Sequence, residues 1–203
     1  MKLCCFFNYA PHYRQSIYKE IDDNFDTQFY FGDEVIDGEQ SGIKKLDYSI
    51  FKKEPISFKN KILFRHFLWR TKAWRLAFKK YDTFIITGDF VYSYIPFLIF
   101  SKLLGKKVYG WGHGEKKKNP KIQFLFTFLY YLLDGFFVYS EGGKKRLMEL
   151  GYNEKKLHVI YNSLSSRKNV SHPFAEKSDI YIKHFGNSYP VLAFIGRLTA
   201  VKN

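Results

Sequence analysis

An apolar run near the end of the chain, residues 191–195, leads into Gly196 and Arg197, and Lys202 comes five residues later. A short apolar run closed by glycine reads as a buried strand feeding a loop. A loop that holds Arg and Lys suits an anionic, phosphate-bearing ligand, because Arg offers a planar fork of donors and Lys a point charge. The same residues could equally be surface charge in a chain with 33 Lys+Arg against 19 Asp+Glu. His113 stands between Gly112 and Gly114, directly after a strand-like run. Glycines there permit a tight turn and close backbone approach to a ligand, and the imidazole can hydrogen-bond it; a plain turn histidine is the other reading. Asn8, Tyr13 and Arg14 follow the first strand-like run, and Ser140, Glu141 and Asn162 follow two later ones. Ser140 could instead be a helix N-cap, and Asn162 a turn residue. No Asp-x-Asp, Cys-x-x-Cys or zinc-ligand spacing occurs, so neither a metal nor another cofactor is expected.

These residues need a scaffold, and the pattern of the chain supplies one. Strands are predicted at 2–7, 27–31, 83–87, 107–111, 136–139, 157–161 and 191–195. Helices are predicted at 13–25, 60–80, 92–104, 121–133, 141–150 and 172–185. In the first helix Ile17, Ile21 and Phe25 recur at i, i+4 spacing and share one face. Gly151 suits the C-terminal cap of the helix at 141–150. Residues 33–57 carry no clear periodicity. Strands alternating with helices indicate an α/β protein with a parallel sheet, helices on both faces and right-handed crossovers. In such sheets ligands bind at the carboxyl ends of the strands, where Asn8, Gly88, His113, Ser140 and Asn162 all lie.

Composition narrows the class. With 203 residues, 46% of them hydrophobic, the chain can bury a sizeable core. The formal charge of +14 favours anionic partners: nucleic acid, an acidic membrane face or phosphorylated substrates. Cys4 and Cys5 are adjacent within a strand-like run, so they point to opposite faces and cannot easily bridge. They read as small buried hydrophobes of a reducing compartment. No apolar stretch approaches the ~20 residues of a membrane span, which suggests a cytoplasmic or peripheral protein. Residues 59–80 hold eight Lys/Arg and no Asp/Glu, interleaved with Phe64, Phe67, Leu68, Trp69 and Trp74. As a helix this would be basic and amphipathic, suited to an anionic membrane surface.

Read together, Gly112-His113-Gly114, Tyr139-Ser140-Glu141-Gly142-Gly143-Lys144-Lys145, Val159-Ile160-Tyr161-Asn162-Ser163-Leu164 and the stretch from Phe194 to Lys202 resemble family 4 of the retaining glycosyltransferases. The resemblance is strongest from Lys106 to Asn203. It implies the GT-B fold, two Rossmann-like domains facing each other across a cleft. It implies an acceptor-side domain over 1–165, a linker and interdomain helix over 166–189, and the opening of a truncated donor-binding domain over 190–203. It further implies transfer of a sugar from a nucleotide-sugar to a glycan or lipid-linked glycan, without a metal, on the inner face of the cytoplasmic membrane. By this resemblance Gly196, Arg197 and Lys202 contact the donor diphosphate, His113 is the catalytic residue beside the donor sugar, and Asn8, Tyr13 and Arg14 face the acceptor. Ser140, Glu141 and Asn162 would line the cleft. Such a chain, lacking most of a donor domain, is expected to be inactive by itself. The rival reading is a basic α/β module that binds nucleic acid without catalysis; no nucleic-acid-binding motif supports it, and no nucleic acid is expected.

Overall fold

A computed structural model describes residues 1–33, 43–63, 67–70, 72–88, 94–114, 127, 129–162, 179–187 and 189. The chain divides into two compact units, Met1–Ser165 and Ser166–Asn203. In the second unit the described residues form one helix, α4 (Asp179–Phe185), followed by Gly186 at φ +67°.

The first unit is built on a seven-stranded, all-parallel sheet. Its strands are β1 (Lys2–Phe7), β2 (Asp26–Gly32), β3 (Ile56–Phe58), β6 (Thr83–Thr87), β7 (Lys107–Gly112), β8 (Gly135–Val138) and β9 (Leu157–Val159), in the order β3-β2-β1-β6-β7-β8-β9. The chain runs outward from β1 to β3, returns to β6 on the other side of β1, and runs outward again. The switch point therefore lies between β1 and β6, paired in register from Leu3↔Thr83 to Phe6↔Ile86. This is the α/β architecture expected from the alternation, and the first helix, α1 (Gln15–Asn24), and the later helices α2 (Tyr94–Leu103) and α3 (Glu141–Glu149) fall where it placed them. The strand β3 falls in a stretch that carried no periodic signal; three residues are too few to show one.

Each face of the sheet has its own apolar cluster. On one face Cys4, Phe6, Phe84, Ile86, Val108, Phe136 and Val138 pack under α2, α3 and the 3-10 helix Ala73–Phe78. On the other, Leu3, Cys5, Phe7, Phe29 and Phe31 pack under Tyr18 of α1 and under Leu46 and Phe51. Cys4 and Cys5 are thus buried on opposite faces as free thiols, in agreement with their strand spacing.

The helix predicted over 60–80 does not form. The chain instead folds as a hairpin of β4 (Asn60–Leu63) and β5 (Phe67–Arg70), followed by the 3-10 helix. Two features break the helical reading. Lys72 adopts φ +68°, a left-handed conformation that ends any regular run. Arg70, which a basic amphipathic helix would have turned to solvent, is 1% exposed. Its guanidinium lies about 5 Å from the ring centres of Phe6, Phe58 and Tyr94. Its Nε donates to Asn60 Oδ1 at 3.1 Å and Nη1 to the Tyr94 hydroxyl. A cation desolvated against three aromatic faces gains from each quadrupole, and the hairpin delivers it there. The membrane-binding helix inferred from the charge pattern is therefore not a feature of this fold. Among the described residues no helix is long and apolar enough to cross a membrane.

Candidate functional site

The carboxyl edge of the sheet is where the sequence placed its candidate residues, and two of them, Arg14 and His113, meet there through Tyr139. β1 ends at Phe7, and the loop after it enters α1 through Tyr13 and Arg14. β7 ends at Gly112, immediately before His113. β8 ends at Val138, and Tyr139 and Ser140 follow. Because β7 and β8 are neighbours in register, with Gly112 opposite Val138, His113 and Tyr139 emerge side by side. Their rings pack edge to face, with centroids 4.7 Å apart and an interplanar angle of 78°. Arg14 reaches the same tyrosine from the β1 side and donates from Nη2 to its hydroxyl. The guanidinium carbon lies 5.3 Å from the Tyr139 ring centre and 5.6 Å from that of Trp111. Tyr139 thus joins Arg14 to His113, residues 99 positions apart in sequence.

The backbone around this cluster is tightly fitted. Gly114 adopts φ +78°, a left-handed conformation that glycine takes at no steric cost. Gly143 in the first turn of α3 packs against the His113 backbone so closely that a Cβ there would lie 2.6 Å from the His113 carbonyl oxygen. Ser140 caps α3, its Oγ accepting from Gly143 N–H at 3.1 Å. That is the capping reading of Ser140. The helix N-terminus is thereby anchored beside His113, and its positive end favours negative charge nearby.

The electrostatics of Arg14 are unusual. It is partly buried, no ion pair to it occurs among the described residues, and its polar neighbours are tyrosines. Burial pushes the Tyr18 phenol well above its ordinary range, and Arg14 beside it pulls the other way without reversing the shift. Tyr18 is therefore neutral at physiological pH, and the cation keeps its full charge.

The remaining candidates fall into place around this centre. Asn8 lies at the switch point: its N–H donates to Thr87 Oγ1 at 3.1 Å and its carbonyl accepts from Asn60 Nδ2 at 3.1 Å. Its Oδ1 is enclosed with no hydrogen-bond partner among the described residues. Tyr13 is 40% exposed and, with Arg14 and Asn162, lines a groove of about 520 Å³ beside α1. Glu141 is exposed at the start of α3, and the Tyr161 hydroxyl donates to it at 3.4 Å. Asn162 is exposed and does not reach His113 or Arg14 by any contact among the described residues. Gly196, Arg197 and Lys202 lie outside the described residues. Among the described residues no group of three or more His, Cys, Asp or Glu is arranged to hold a metal ion. Sequence reasoning missed Tyr139, Trp111 and Arg70; an aromatic residue ending a strand next to a candidate was the available signal for the first two.

No family model matches the sequence, and no curated protein does. Solved structures do match. HepE from Anabaena, solved with UDP, superposes with TM-score 0.52 at 13% identity over 92% of this chain and 50% of its own. UDP-N-acetylglucosamine 2-epimerase from Rickettsia bellii gives 0.50 at 13% identity over 78% of this chain and 44% of its own. The Neisseria meningitidis epimerase, solved with UDP-GlcNAc, gives 0.50 at 13% identity over 78% and 46%. The fold is that of a GT-B Rossmann-like domain. The chain spans about half the length of the proteins it resembles.

Proposed function

We propose that the chain is the acceptor-side portion of a glycosyltransferase that moves a sugar from a nucleotide-sugar to a glycan or lipid-linked glycan with retention of configuration. Fold alone does not assign an activity. What carries the reading is the union of Arg14 and His113 on Tyr139 at the carboxyl edge of the sheet, next to the topological switch point.

In this reading His113 faces the donor sugar. Its ring is exposed on one side and packed on the other against Tyr139, so it can hydrogen-bond a hydroxyl of the sugar. Arg14 grips an anionic group of the acceptor, and Tyr13 offers an exposed ring on which a sugar can stack. Arg197 and Lys202, with Gly196, hold the donor diphosphate as negative charge grows on the leaving oxygen. Those cations supply the charge stabilisation, and no metal takes part. The neighbours solved with UDP or UDP-GlcNAc favour a uridine nucleotide. In this reading the protein acts peripherally on the cytoplasmic face of the membrane.

The test is transfer. The natural protein is incubated with UDP-glucose, UDP-galactose and UDP-N-acetylglucosamine, each with a soluble glycan fraction and a lipid-linked glycan fraction. Retained anomeric configuration in the product, insensitivity to EDTA and at least a 100-fold lower rate in His113→Ala, a loss typical of a catalytic contact, are expected. Epimerisation of the nucleotide-sugar without transfer, or tight nucleic-acid binding with a steep salt dependence, overturns the reading.

A further inference from the structure

Parallel sheets normally have both faces covered, and this one does not within its described residues. In β6, Phe84 and Ile86 are buried while Thr83 and Ile85 on the opposite face are only half-buried. On that face α1 covers β1 and β2, and beyond it the side chains of β6, β7 and β8 form the floor of the groove of about 520 Å³. That volume lies within the range of small-molecule sites. The helix itself turns toward it. The sequence pattern put Ile17, Ile21 and Phe25 on one apolar face, yet the residues α1 buries are Tyr18 and Asp22. Ile17 and Phe25, 41% and 46% exposed, line the groove together with Ile21.

We propose that this groove binds a single-chain anionic amphiphile, an alkyl or isoprenoid chain carrying a phosphate, with the chain on the groove floor and the phosphate at Arg14. The floor is apolar: Ile85, Tyr109 and Phe137 present their side chains there. At ~3.3 Å rise per residue, the stretch of β7 from Lys107 to Trp111 makes it about 13 Å long. Charge selects the occupant. Arg14 lines the groove at its carboxyl end and Lys107 at the other, and no Asp or Glu lines it among the described residues. Arg14 stands at the carboxyl edge within reach of the His113–Tyr139 cluster, so a phosphate there places the end of the amphiphile where transfer would occur. A second copy of this chain would bring a further +14 net charge and the same cations to the interface, and like charges disfavour that pairing. A neutral lipid would fill the floor and leave Arg14 without an anion. The proposal deepens the glycosyltransferase reading, on which its acceptor role rests, by assigning the acceptor class.

The experiment measures binding without catalysis. Dodecyl phosphate, dodecyl maltoside and inorganic phosphate are titrated, each below its micelle concentration, against the fluorescence of Trp111. Trp111→Phe retains only Trp69 and Trp74 and supplies the background to be subtracted. Saturable binding of dodecyl phosphate, binding of dodecyl maltoside at least tenfold weaker and no response to inorganic phosphate are expected. Arg14→Gln should cost about tenfold for dodecyl phosphate, the loss of one charge-assisted hydrogen bond, and leave dodecyl maltoside unchanged. Ile17→Asp and Phe25→Asp, both on the exposed side of α1 and checked for folding by circular dichroism, should abolish binding of both amphiphiles. Equal binding of the two amphiphiles, binding of phosphate alone, no saturable response, or a concentration-dependent dimer that Ile17→Asp dissolves overturns the proposal. Sugar transfer to a soluble glycan without amphiphile binding refutes the groove and spares the transferase reading; amphiphile binding without transfer of any sugar does the reverse.

Discussion

The adjacent glycines at the start of α3 should respond to the same substitution with opposite sign. Gly→Ala in a helix stabilises by up to about 1 kcal/mol from propensity alone, less in a first turn. At Gly142 the added methyl meets nothing nearer than Ser140 Oγ at 3.9 Å, so Gly142→Ala should stabilise by about 0.5 kcal/mol. At Gly143 it meets the His113 carbonyl oxygen at 2.6 Å. That neighbour is backbone, and it cannot swing away as a side-chain tip would. Forcing such a contact costs roughly 1–3 kcal/mol. The propensity gain is common to both sites, so the difference between the two variants isolates the contact and should equal about 1–3 kcal/mol. For a chain of 203 residues that is a gap of about 2–12 °C in Tm, read by thermal circular dichroism on both variants. Gly143→Ala should also lower any activity that depends on His113, because relief of the clash moves that loop. Equal stabilisation by the two substitutions would refute the claim that α3 is locked against His113.

Ser140→Ala should destabilise the chain by about 1 kcal/mol through loss of the N-cap, and Ser140→Asp should restore most of it, both read by urea denaturation. Tyr139→Phe keeps the ring contact with His113 and removes the acceptor for Arg14. It should cost about 1 kcal/mol, the lower end for a bond to a charged group because water reaches the partly exposed guanidinium. Burial pushes the Cys4 thiol, and its neighbour Cys5, well above the ordinary value of 9.0. The folded chain therefore favours the protonated thiols, so their contribution to stability is complete below the unfolded pKa and declines as pH rises through and above 9.0. Urea midpoints should fall between pH 8 and 10, and Cys4→Ala with Cys5→Ala should flatten the decline; the thiols of the native chain should resist Ellman's reagent until denaturant is added.

The alternation of elements was legible in the sequence because its cause is local. Strands of a parallel sheet read as short, largely apolar runs, such as 83–87 and 107–111, and glycine or a small polar residue commonly ends them. The strand-end position of Asn8, His113 and Ser140 followed from the same rule. Other features were not local. Residues 60–80 carry apolar residues at spacings that satisfy a helix, and nothing within the segment shows that Arg70 will be drawn between Phe6, Phe58 and Tyr94. That contact exists only once β1, β3 and α2 have assembled. Ile17, Ile21 and Phe25 form one helical face as the spacing indicates, but which face of α1 meets the sheet was settled by Tyr18, stacked on Phe7 at 5.5 Å. The centre of the candidate site was likewise a product of strand order. Arg14 and Tyr139 meet because β1 and β8 are brought to the same edge of the sheet, separated by β6 and β7. The sequence by itself determined which loops would stand at the carboxyl ends of the strands. Tertiary structure alone decided which of their side chains would touch, because contact depends on strand order and register, and both arise from pairings between residues far apart in the chain.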